Sequence, residues 1–173
     1  MLTTSASLKT QFASLAYQEG LLSLTGNANK AGSFIEKYLK VFRESFAQKE
    51  PKYLDTAVGY DWCCAYVYYL LNQVGIELNI KPILHYEGTL GFVRTWYLWA
   101  LQQNTFIPSS QDPEPGDLVL FDHLIEDVEL DHIGIVIENK EGHILSSEGN
   151  YHNCSGIFNR DKNQHIRGYI RWS

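Results

Sequence analysis

An α+β fold is predicted for this chain by three observations. Helical periodicity governs the sequence up to Gln103, and after Pro113 short β-rich runs separated by turn residues replace it. Between Trp62 and Leu71 the chain is apolar on every side, as a helix buried in the middle of a fold would be. The expected architecture is therefore a group of N-terminal helices, one of them fully buried, packed on a C-terminal antiparallel sheet. At 173 residues the chain is the size of one domain, expected to span 1–173. Apolar residues at 45% and charged residues at 20% exclude a disordered chain. A net charge of −6 without a basic cluster argues against nucleic acid and anionic membrane as partners. The apolar runs fall short of the ~20 residues of a membrane span. Met1 to Gly20 lacks the charged and hydrophobic parts of a secretory signal. Three cysteines, two of them adjacent, do not make a disulfide framework.

Taken in order, Ser5 to Glu19 places Leu8, Phe12, Leu15 and Ala16 on one helical face. Gly26, Asn27, Asn29 and Gly32 break that pattern. Ser33 with Glu36 forms a capping box, so a second helix is expected to start at Ser33 and to carry Ile35, Tyr38, Leu39 and Phe42 inward. Gln48 to Tyr60 reads as a loop. The buried helix follows from Asp61, its expected N-cap, to a stop at Gly75. A further helix spans Thr89 to Gln103, with Phe92, Trp96 and Trp99 forming a core stripe whose exposed member could stack on a sugar. Strands are expected at Asp117–Phe121, His132–Glu138, His143–Ser147 and Gly168–Trp172.

A cysteine just inside a helix start gains from the dipole and from unpaired amides, which favour its thiolate. Cys63 and Cys64 both qualify, and helical periodicity does not choose between them; both also suit a plain core role. A nucleophilic thiol needs a base, and among six histidines His132 is the best placed. It opens the run Asp131 to Glu138, in which His132, Gly134 and Val136 share one strand face. A glycine beside a polar imidazole suggests a face that something approaches closely. The turn Asn139–Gly142 joins two strands, and a three-residue loop would pair Glu138 with Gly142, setting His132 opposite Glu148. A register shifted by two sets Asn150 there instead. Either would fix the tautomer of His132 and stabilise its imidazolium.

Four blocks in order, Trp62-Cys63-Cys64-Ala65-Tyr66-Val67, Pro115 to Phe121, Asp131 to Val136 and Glu148-Gly149-Asn150, resemble the signature of the CHAP family of cysteine, histidine-dependent amidohydrolases/peptidases, relatives of the NlpC-type hydrolases. The resemblance runs from about residue 10 to 172. It implies a papain-like fold in which Cys63 attacks an amide carbonyl, His132 activates the thiol and protonates the leaving amine, and Glu148 or Asn150 orients His132. Cys64 then occupies a small packing position, and backbone amides near Cys63 meet the oxyanion. Some members carry a glutamine shortly before the cysteine; Asp61 and Trp62 stand there, so no side-chain oxyanion donor is assigned. No cofactor or metal is implied. The implied partner is peptidoglycan, cut as an N-acetylmuramoyl-L-alanine amidase or as a stem-peptide or cross-bridge endopeptidase. Lysis or a specialised secretion system would deliver the chain to the cell wall, and a cognate immunity or inhibitor protein fits an antibacterial effector.

Other residues have lesser expectations. Tyr60 and Trp62 flank the nucleophile and are expected to line the cleft for substrate. Asp131 ranks below Glu148 as an orienter, because adjacent residues face opposite sides of a strand. His123 could serve as a polar group on the substrate side, whereas His85, His143, His152 and His165 read as surface and Cys154 as a small strand residue. A zinc site from Cys63, Cys64, Cys154 and His132 fits tetrahedral geometry poorly. The competing functions are an amidase or deamidase acting on a protein, and a silent module that binds wall fragments or a partner.

Overall fold

The computed structural model describes residues 7–78 and 89–173. It is α+β: helices α1 (Leu8–Gly20), α2 (Glu36–Ala47), α3 (Cys63–Gln73) and α4 (Val93–Gln102) precede all six strands, β1 (Phe106–Pro108), β2 (Leu118–Phe121), β3 (His132–Lys140), β4 (His143–Tyr151), β5 (Cys154–Asp161) and β6 (Ile166–Ile170). The strands form one antiparallel sheet in the order β1-β6-β2-β3-β4-β5. This is a papain-like arrangement, with α3 buried between the other helices and β3 and β4.

The helices sit where their periodicity places them, with differences at their starts. Helix α1 begins at Leu8 and is capped by Ser7, its hydroxyl accepting from the Thr10 amide at 3.2 Å; the expected start at Ser5 lies outside the described residues. The Ser33 capping box does not form: residues 33–35 are a turn, and α2 begins at Glu36, whose carboxylate binds the Arg43 guanidinium at 2.6 Å through both oxygens. That pair, seven residues apart, takes the glutamate away from the cap. Arg43 is buried and also donates to the carbonyls of Tyr53, Asp55 and Val58, tying down the 48–60 segment, which contains a 3₁₀ turn at Pro51–Leu54. The α4 stripe is broken at its first member. Trp96 is buried and Trp99 packs on the core, but Phe92 lies just before the helix and is 64% exposed.

The main core fills the space between the helices and one sheet face, with Phe12, Tyr38, Trp62, Tyr66 and Trp96 among its largest side chains. A smaller cluster of Val119, Phe121, Val136, Ile144, Ile166 and Tyr169 covers the other face. His132 belongs to this second face, since it pairs with Phe121. The two edge strands are β1, absent from the sequence reading, and β5, of which that reading named only Cys154. The turn of the β4–β5 hairpin is His152-Asn153, both with positive φ, the backbone of a primed turn that asparagine tolerates. This turn reaches back to the helices: Asn153 donates to the carbonyls of Gly26 and Asn27 and accepts from the Trp62 indole at 3.2 Å.

Candidate active site

Helix α3 starts at Cys63 with Trp62 as its N-cap, so Asp61 is not the cap and the two cysteines hold the first two helical positions. Its first backbone bond runs from the Tyr66 amide to the Trp62 carbonyl at 2.9 Å, which leaves the amides of Cys63, Cys64 and Ala65 without a helical acceptor. The Asp61 carboxylate instead pairs with Lys30 and accepts from the Asn150 side chain at 2.9 Å. Helix α3 presses directly on the β4 backbone. A β-carbon on Gly149 would lie 2.5 Å from the Tyr66 Cβ and 2.8 Å from the Trp62 ring. These are the fixed parts of two core side chains, so Gly149→Ala is expected to cost about 1–3 kcal/mol and to withdraw α3 from the sheet. A lower denaturant midpoint with slower alkylation of Cys63 would show it; an unchanged midpoint would refute it.

On the sheet, His132 and Glu148 are both fully buried, and the His132 Nε2 lies 2.9 Å from the Glu148 Oε2. The register that brings them together is not the one the hairpin reading prefers. The connecting loop is Glu141-Gly142, Lys140 pairs with His143, and an irregularity at Ile137 leaves Glu148 opposite Gly134. Glu148 still reaches His132, two residues along the same face, because Gly134 leaves the path clear: a β-carbon there would be 2.7 Å from the Glu148 Cγ. The close approach that Gly134 permits is thus made by a carboxylate of the same chain. Asn150 stays with Asp61 rather than with His132. Asp131 accepts from the amides of Ile125 and Glu126, and so shapes the loop before β3.

Two residues that sequence reasoning missed complete the carboxylate's surroundings. Arg160 on β5 grips Glu148 through both oxygens at 2.9 and 2.7 Å, and the Ser146 hydroxyl donates to it at 2.5 Å. The guanidinium is itself stacked against Tyr151 and Phe158, 4.1 and 4.8 Å from their ring centres. Alternation along β5 could have flagged Arg160 had the strand begun by Cys154 been given its bounds, since Gly156, Phe158 and Arg160 share the Glu148 face.

With Nε2 bound to Glu148, Nδ1 of His132 is left as the nitrogen that faces the Cys63 thiol; it is buried and bonds no other group. A hydrogen bond from Cys64, and then the His132 imidazolium, outweigh burial and bring the Cys63 thiol down to about 5. Burial opposes the charged form of His132, yet hydrogen bonds and charge from Cys63 and Glu148 raise it to about 10. Burial likewise opposes the Glu148 carboxylate, and His132 with Arg160 overcomes it to hold the group at about 2. Cys64 moves the other way, pushed well up by burial and by the neighbouring thiolate. Near neutral pH the site therefore holds a thiolate beside an imidazolium, backed by a carboxylate.

Cys63 and His132 open into a cleft of about 550 Å³. Asp61, Asn150, Phe92, Arg94 and the segment from Ile125 to Asp131 also line it. Trp62 does not: it is fully buried, its ring stacked on Tyr38, because the helix start turns it into the core. Tyr60 lines a neighbouring pocket while its hydroxyl donates to the Leu39 carbonyl. His152, read as surface, is exposed but borders the cleft. His123 is exposed and paired with Asp127. His143 and His165 are half-buried, the latter beside the Asp122 carbonyl, and His85 lies outside the described residues. Cys154 stands in β5 as expected, and among the described residues no group of three or more His, Cys, Asp or Glu could hold a metal ion.

The Cys63 thiol and the His132 imidazole thus meet where a helix start abuts an antiparallel sheet, on a papain-like scaffold. The family model of the CHAP domain matches residues 55–150, more than half of the chain, and the chain belongs to that family. Membership makes it an amidase- or peptidase-type hydrolase, of a class typically acting on peptidoglycan. No curated protein and no solved structure gives a significant match to it.

Proposed function

We propose that this protein hydrolyses an amide bond of peptidoglycan, with Cys63 as nucleophile, His132 as general base and acid, and Glu148 as the group that orients His132. The observation that carries the reading is the continuous chain of contacts Cys63–His132–Glu148–Arg160, opening at its Cys63 end into the cleft. The Cys63 sulfur attacks the carbonyl carbon, and the oxyanion is met by the unpaired amides at the start of α3. The carbon–nitrogen bond breaks as His132 passes its proton to the leaving nitrogen, giving an amine and a thioester. Water then adds to the thioester as His132 takes its proton, and a carboxylate leaves with the thiol restored. Glu148 keeps Nε2 occupied, so that Nδ1 is the nitrogen that moves the proton. Asn150 and Asp61 form the cleft wall beside the thiol rather than a second orienting pair.

The test is release of new amino groups from purified peptidoglycan, with mass spectrometry of the soluble fragments. Release that stops after alkylation of Cys63 is the expected result. No release from several wall types would overturn the substrate and favour an amide on a protein; a Cys63 thiol that resists alkylation at neutral pH would overturn the catalytic reading itself.

A further inference from the structure

The cleft has two unlike arms. One is charged: the segment before β3 brings Glu126, Glu129 and Asp131 to its edge, and Arg94 on α4 faces them without an ion-pair partner among the described residues. The other is a separate pocket of about 380 Å³ that meets the cleft at Asp61, Gly91 and Phe92. Its wall is aromatic. Phe46, Tyr53 and Tyr60 pack edge to face with ring centres 4.8–5.9 Å apart, which makes a rigid surface. Phe92 closes it from the other side and is held in place while exposed: its amide bonds the Thr89 carbonyl at 3.0 Å, and the Trp96 indole anchors the Leu90 carbonyl at 2.9 Å. Lys49, Glu50 and Thr89 supply polar groups around these rings.

Apolar aromatic walls with a polar rim suit a pyranose ring, whose axial hydrogens present an apolar face and whose hydroxyl and acetamido groups lie at the edge. A branched aliphatic side chain would leave the rim unmatched. The two arms also differ in their relation to the reacting groups. His132 must protonate the leaving amine, and His132 lies at the end of the charged segment, whereas the aromatic pocket touches neither His132 nor Cys63. We propose that the pocket walled by Phe46, Tyr53, Tyr60 and Phe92 binds the acyl-side sugar of the substrate, and that the charged arm takes the peptide on the amine side. This rests on the peptidoglycan reading above, and it selects one bond. The amide cut is the one joining the lactyl carbonyl of N-acetylmuramic acid to the first residue of the stem peptide. Hydrolysis consumes one water and yields a lactyl carboxylate on the glycan and a free amino group on the peptide.

The experiment compares a muramyl peptide with the matching lactoyl peptide, which keeps the scissile amide but lacks the sugar. Wild type is expected to show a KM about tenfold lower for the muramyl peptide, the worth of burying one aromatic face. Phe92→Ala should remove that difference with little change in kcat, and Phe92→Tyr should keep it. As a second readout, an N-acetylmuramic acid-containing disaccharide added to Cys63→Ala protein should shift the ring resonances of Tyr53 and Phe92. Equal KM values in wild type, or rings that do not respond, would overturn the sugar subsite. Wall fragments cut within the peptide would overturn the bond assignment while leaving a peptidoglycan hydrolase. No fragments at all would overturn both readings together.

Discussion

Cys63→Ala should reduce amide hydrolysis roughly a million-fold, as loss of a catalytic nucleophile does, while Cys64→Ala should remain active with an altered pH profile. The two thiols are adjacent and both buried, yet they are not equivalent. Cys63 opens to the cleft and interacts with His132; Cys64 faces the core and stabilises the thiolate beside it. The reactive ion pair requires Cys63 deprotonated, above about 5, and His132 protonated, below about 10, so wild-type activity should form a plateau between those limits. The Cys64 hydrogen bond is the largest influence lowering the Cys63 thiol. Its removal should therefore move the acid limb towards neutral pH and leave the alkaline limb, set by His132, where it was. Profiles of kcat/KM on a soluble muramyl peptide would show this. Equal inactivation by the two substitutions would refute the division of labour.

Glu148→Gln should lower kcat by roughly a thousand- to ten-thousand-fold, the scale seen when a triad carboxylate becomes an amide. The amide no longer stabilises the imidazolium, so the alkaline limb should also fall. Stability should respond more strongly to Glu148→Ala, which leaves the Arg160 guanidinium half-buried between aromatic rings without its anion. Breaking a buried pair in this way costs about 3–5 kcal/mol. Arg160→Met should be costly for the mirror-image reason, and the double replacement Glu148→Ala with Arg160→Met should recover part of the stability but none of the activity. Denaturant midpoints and kcat on the four proteins separate the two effects. Wild-type turnover in Glu148→Gln would sink the assignment.

The pH dependence of stability has two signs. The Glu148 contribution is present above the unfolded carboxylate value of about 4.3 and is lost as pH falls towards about 2. The His132 contribution is present below its unfolded value of about 6.5 and is lost as pH rises through about 10.

By itself the sequence determined the α+β class and the buried helix carrying both cysteines, and it named His132, Glu148 and Asn150 as candidates. These were legible because each depends on local information: a period, a helix start, a glycine on a strand face. Tertiary structure alone decided which of Glu148 and Asn150 touches His132, since the irregularity at Ile137 shifted the register and the gap at Gly134 lets Glu148 cross to it. It buried Trp62, exposed Phe92 and moved the cap from Asp61 to Trp62, and it brought Arg160 from a strand whose bounds the pattern did not reveal. The physical reason is common to all of these. Side-chain direction at a bulge or a helix start is set by which neighbours pack against it, and those neighbours can lie more than a hundred residues away, as Asn153 does from the Gly26–Asn27 loop.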